Sequence, residues 1–96
     1  MDDKLIKEIK KTVFRHLDPT KVKAFVFGSR ASGKNRKYSD VDLGIMAKTA
    51  IPTIVKFDLE EEFENSNLPY RVDVVDFSKV SDNFKKVALN NVVNLN

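Results

Sequence analysis

The chain contains no cysteine, one histidine, and only three glycines and three prolines among its 96 residues. Without cysteine there can be no disulfide and no thiolate-held metal, a composition that fits a reducing compartment. The single histidine, His16, has no histidine or cysteine companion and makes a poor metal ligand. Near the end of a polar helical segment it reads as a solvated or dipole-compensating residue. No apolar run approaches the length of a membrane span, and the opening MDDKLIKEIKK reads as an amphipathic helix without a signal-peptide core. A cytoplasmic protein without membrane contact is expected. Repeats and low-complexity stretches are also missing, and residues 1–96 read as one domain with a single core and little surface for a separate acceptor-binding module.

What is present is an alternation of helical and strand patterns. Leu5, Ile9, Val13 and Leu17 at four-residue spacing, beside Ile6, predict a helix from about Asp3 to Leu17, stopped by Asp18-Pro19. VKAFVF (22–27) and VDLGIM (41–46) are rich in branched and aromatic residues and predict strands. A second long helix is expected from near Pro52 to about Glu64, with Ile51, Val55, Leu59 and Phe63 on one side. The run from Tyr70 to Phe77 predicts a third strand, and residues 81–90 a last helix with Phe84, Val87 and Ala88 inward. The tail after Asn90 either adds a short strand or frays. The fold class expected is α+β, a small mixed sheet of three or four strands with helices packed mainly on one face.

The chemistry-bearing residues sit at the strand ends. Gly28-Ser29 directly follows the first strand, and after ten further residues comes Asp40-Val41-Asp42 at the start of the second. Side chains alternate across a strand, so Asp40 and Asp42 share a face. Aspartate resists burial in an apolar strand, and two on one face call for a partner, which a divalent cation would supply. Glycine lets backbone amides approach a ligand, and the Ser29 hydroxyl can bond a phosphate oxygen. If Ser29-Arg30-Ala31-Ser32 opens a short helix, its free N–H groups would face the same anion. A third carboxylate is offered by Asp73 or Asp76, which have opposite parity. Asp73 is preferred, because Asp76 reads as a solvated turn residue at the strand's end.

GSRASG, YSDVDLGI and RVDVVDF together resemble the nucleotidyltransferase superfamily related to DNA polymerase beta, and more narrowly the minimal nucleotidyltransferases that act as antitoxins of HEPN-domain ribonuclease toxins. The resemblance implies a polymerase-beta-like nucleotidyltransferase core. It implies that Asp40, Asp42 and Asp73 are catalytic and hold two Mg2+ ions, and that Gly28, Ser29, Arg30 and Ser39 contact the nucleotide, ATP. It implies AMP transfer to a hydroxyl of a HEPN toxin partner by in-line displacement at the α-phosphate. Many relatives carry Arg where this chain has Ser32, a departure that leaves every carboxylate in place. Two other readings stay open, a non-catalytic antitoxin and an enzyme modifying small molecules such as aminoglycosides. Against the first stands retention of every carboxylate; against the second, a chain too short for an acceptor pocket.

Charge is unevenly distributed. Residues 1–39 hold eleven Lys or Arg against four Asp or Glu, residues 40–77 three against nine, and the remainder three against one. Lys34, Arg36 and Lys37 precede the carboxylates and could attract phosphates or RNA, or form a plain solvated loop; direct nucleic-acid contact and self-association are left open. Glu60, Glu61, Glu62 and Glu64 read as the wet face of the second long helix. Phe14 and Phe57, off the main stripes, read as a broader core stripe in preference to a docking surface.

Overall fold

The amphipathic N-terminal pattern becomes helix α1, Asp3–His16, started by Asp2, whose side chain accepts the Lys4 N–H at 2.9 Å. This computed structural model describes residues 2–34 and 39–96. The remaining elements are β1 (Lys23–Phe27), α2 (Ser29–Ser32), β2 (Val41–Met46), α3 (Thr53–Glu64), β3 (Val72–Asp76), α4 (Asp82–Ala88) and β4 (Val93–Asn94). The strands form one mixed sheet in the order β3-β2-β1-β4. β1 runs antiparallel to both β2 and β4, and β2 runs parallel to β3, with α3 in the connection between them. The tail is therefore a strand. It is fixed by Leu95, buried in the core, and by Asn96, whose carboxamide donates to the Pro19 and Val22 carbonyls and accepts from the Ala24 N–H.

Alternation along the strands splits the molecule into two faces. Ala24, Val26, Val41, Leu43, Ile45, Val72 and Val74 pack against Leu5, Ile9 and Val13 of α1 and Leu59 and Phe63 of α3. The opposite face carries Phe25, Phe27 and Phe77, whose rings meet edge to face at 4.8 and 5.1 Å between centroids. Gly44 makes that cluster possible, since a Cβ there would collide with both the Phe25 and Phe77 rings. Phe14 packs on the main core as expected, but Phe57 does not and is 60% exposed. α4 departs further: Ala88 packs on the aromatic cluster, while Phe84 touches Phe27 and Phe77 only with its ring and Val87 is 73% exposed. The three phenylalanines already fill the face, so a short helix beside them leaves its own apolar side half uncovered.

α1 and α3 are tied at the surface by Glu62, which pairs with Arg15 and with His16 Nε2 at 3.1 Å. His16 thus acts as a helix-to-helix contact, beyond the solvated role expected of it. The Arg15 hydrogen bond, the largest influence, holds the Glu62 carboxyl down to about 2, against an ordinary value of 4.5. A depressed carboxyl adds stability above its unfolded value and loses it as pH falls toward the folded one, here from about 4.5 to about 2. The pair is exposed, so the expected loss in Glu62→Gln is under ~1 kcal/mol. Denaturant titrations should show that difference at pH 7 and find it shrinking steadily below pH 4.5.

Candidate functional site

β1 ends at Phe27 and the chain turns at Gly28, whose φ of 76° and ψ of −153° lie in a region open essentially to glycine alone. The turn is tight against β2: a Cβ on Gly28 would overlap Asp42 Oδ2. Ser29 then starts the single turn of α2, which closes at Gly33 in the left-handed conformation. First-turn amides have no preceding turn to bond to. They are left for an outside acceptor, beside the exposed Ser29 hydroxyl.

Asp42 pairs across the sheet with Phe27 and with Asp73, its parallel-register partner in β3. Both carboxylates therefore stand on the aromatic face beside the Gly28 turn, away from α1 and α3. Asp40 lies exposed just before β2. Burial, then the charges of Asp73 and Asp40, push the Asp42 carboxyl above its ordinary value. Asp73 is also held by Arg71, whose Nε donates to its Oδ1 at 3.0 Å.

Among the described residues no three Asp, Glu, His or Cys side chains gather into a metal-holding group. The expected triad is a register pair with a third charge near enough to be felt, as mutual repulsion of carboxylates favours. That donor set still fits magnesium. Mg2+ takes hard oxygen ligands and is commonly held by one or two carboxylates, with substrate phosphates and water completing its shell.

Asp76 faces the other way. It is buried, and accepts hydrogen bonds from the Ile51 N–H at 3.0 Å and from the Ser78 N–H and hydroxyl at 2.9 and 2.7 Å. Burial alone would raise its carboxyl, but those bonds outweigh it and hold it below the ordinary value. The solvated-turn reading of Asp76 is thus corrected: it ties the entry of α3 to the end of β3, a role that needs a buried acceptor.

Arg30 is buried too. Its Nε and Nη2 donate to the Ser39 carbonyl at 3.0 and 2.7 Å, and its guanidinium lies 4.1 Å from the centre of the Tyr70 ring. These two bonds brace the segment that leads to Asp40. Sequence spacing gave no sign of this, because the partner is a backbone carbonyl. Of the basic loop, Lys34 is exposed, and Arg36 and Lys37 lie outside the described residues.

The chain matches the "Polymerase beta, Nucleotidyltransferase" family over residues 7–95. It is 38% identical over 79 residues to a Haemophilus influenzae protein described as the probable protein adenylyltransferase MntA, a match covering 82% of this chain and 68% of that one. Its fold is shared with a toxin–antitoxin complex with AMP-PNP at TM-score 0.76 and 23% identity, covering 94% of this chain and 71% of the other. It is shared also with the structure of a tri-AMPylated Shewanella oneidensis HEPN toxin in complex with MNT antitoxin, at TM-score 0.63 and 19% identity, covering 94% and 71%. With nearly the whole chain matched by the family and a relative at that level of identity, this protein belongs to the polymerase beta nucleotidyltransferase family.

Proposed function

We propose that residues 1–96 form a single minimal nucleotidyltransferase domain that moves AMP from ATP to a hydroxyl group on a HEPN-type toxin, silencing it, in the cytoplasm. The observation that carries this is the Asp42–Asp73 register pair set against the Gly28 turn. The relative is described as the probable protein adenylyltransferase MntA, and the Shewanella toxin is tri-AMPylated in complex with MNT antitoxin, which points to a protein acceptor.

Gly28 and Ser29 bind the triphosphate, through backbone amides and the serine hydroxyl. Asp42 and Asp73, with Asp40, would hold Mg2+, which when bound supplies charge neutralisation for the transferring phosphoryl group. The acceptor oxygen attacks the α-phosphorus, the bond to the β-phosphate oxygen breaks, and pyrophosphate leaves. Asp73 takes the acceptor's proton, its carboxylate held in position by the Arg71 guanidinium.

Incubation with magnesium, ATP labelled at the α-phosphate and a helical HEPN-type partner tests this reading. Label is expected on the partner, at a hydroxyl side chain. Tight association without label would instead establish an antitoxin that acts by contact alone, and label confined to small molecules would overturn the protein acceptor.

A further inference from the structure

The sheet ends differently at its two edges. β4 closes one side with two residues, too short to recruit another strand, whereas β3 closes the other with five residues in unbroken register on β2. The Arg71 carbonyl accepts from the Val41 N–H at 2.8 Å, and the Phe77 N–H donates to the Ile45 carbonyl at 2.9 Å. In a parallel ladder that phase commits the odd-numbered residues to β2 and turns the backbone groups of Val72, Val74 and Asp76 outward. Among the described residues nothing bonds the outward groups of Val72 and Val74. The Asp76 carbonyl takes one bond, from the Lys79 N–H at 3.1 Å, and keeps a second lone pair.

Beside this edge α3 raises a ridge, leaving a groove in two stretches. Lys56, Phe57 and Lys79 flank Val74 and Asp76 in a hollow of about 340 Å3, and Glu60 and Glu64 flank Val72 and Asp73 in one of about 470 Å3. Charge is therefore ordered along the strand. Its last residues lie between two lysines, Asp76 being buried with its oxygens already bonded. Its first residues lie beside two glutamates, Asp73 being paired with Arg71. Phe57, close to the midpoint of α3, is 60% exposed, and Ile54, one helical turn before it, 65%.

A groove whose two halves carry opposite charge is complementary to itself turned end for end. We infer that a second copy of this chain occupies it, with the two β3 strands antiparallel about a two-fold axis at Val74. Val74 then exchanges both backbone bonds with its counterpart, Val72 bonds Asp76 of the other copy, and two four-stranded sheets become one of eight strands. Lys56 and Lys79 of each copy meet Glu60 and Glu64 of the other, and the two Phe57 rings cover one another. A two-fold perpendicular to the sheet keeps both Asp42–Asp73 faces open on one side and both α3 helices on the other. An extended peptide from another protein would use the same backbone groups; the reversal of charge about the strand's midpoint is what favours the chain itself.

Lys56→Glu with Lys79→Glu makes both halves of the groove acidic, and Glu60→Lys with Glu64→Lys makes both basic. The changes on α3 follow its macrodipole, and melting curves check that each double variant folds. Sedimentation equilibrium from micromolar to millimolar protein is expected to show wild type passing from monomer to dimer. Each double variant alone should associate at least about tenfold more weakly, and their equimolar mixture should form a one-to-one dimer. Amide exchange at Val74 should slow as wild type is concentrated. A wild type that stays monomeric overturns the inference and leaves the edge to an extended peptide. A dimer that both variants preserve overturns it too, as does a mixture that stays monomeric. Should a double variant melt early, Phe57→Asp, at an exposed position, takes its place: weakened self-association upholds the inference, and dimerisation equal to wild type overturns it.

Discussion

Replacing Asp40 and Asp42 together by Asn is expected to lower nucleotide transfer by about a thousandfold or more, while the folded state becomes more resistant to heat. The first effect follows from removing two of the oxygen donors that would hold the cation, a contribution worth several kcal/mol at a transferring phosphoryl group. The second follows from the Asp42 environment. Its carboxyl is raised by burial and by the charges of Asp73 and Asp40, so the folded state holds that proton more tightly than the unfolded chain. Stability therefore falls as pH climbs past the ordinary value of 3.8 and through the raised folded value, and the cost persists at neutrality. Asn keeps the shape and drops the charge, removing that cost. Melting curves from pH 3 to 8, beside transfer assays, separate the two effects. MgATP should raise the melting temperature of wild type and leave the variant unmoved. An active variant, or one less stable at pH 7, contradicts the assignment.

Gly28→Ala should lower transfer by about a hundredfold, because the new methyl group displaces Asp42 Oδ2 from the position in which it faces Asp73. It should also cost about 1–3 kcal/mol of stability, as the φ of 76° and ψ of −153° suit only glycine. Gly33→Ala is the matched control. Gly33 has the same φ of 76°, but nothing lies within 4 Å of where its Cβ would be. It should cost about 1–2 kcal/mol and leave transfer rates unchanged. Urea titrations and steady-state rates on the two variants decide the matter: equal losses of activity would mean that backbone strain, and not the collision with Asp42, disables the turn.

The α1, α3 and strand patterns were legible because each has a strong period and a clear stop, such as Asp18-Pro19 after the first helix. Parity allowed only one of Asp73 and Asp76 on the side of Asp42, and the preference for Asp73 rested on a solvated turn at Asp76 that the buried bond from the Ile51 N–H corrects. Other features rest on contacts between distant segments that spacing does not encode. The Arg30 guanidinium is taken up by a carbonyl nine residues away, and the Asp76 carboxylate by an amide twenty-five residues earlier. The outward turn of Val87 was hidden because a helical stripe tells which residues share a side, not whether anything waits opposite. Gly44 was overlooked as an ordinary strand residue, though a glycine amid apolar neighbours is the available sign of rings crossing overhead.

Parallel alignment of β2 with β3 has a genetic corollary. Two aspartates thirty-one positions apart face each other only because the helix bridging those strands seats Leu59 and Phe63 without slack. A slip by one residue would send Asp73 to the opposite side and its valine neighbours into water. Loss-of-function alleles should therefore accumulate at those two remote hydrophobic positions as well as at the acidic ones, disabling the enzyme through misalignment in molecules that never lose a catalytic group.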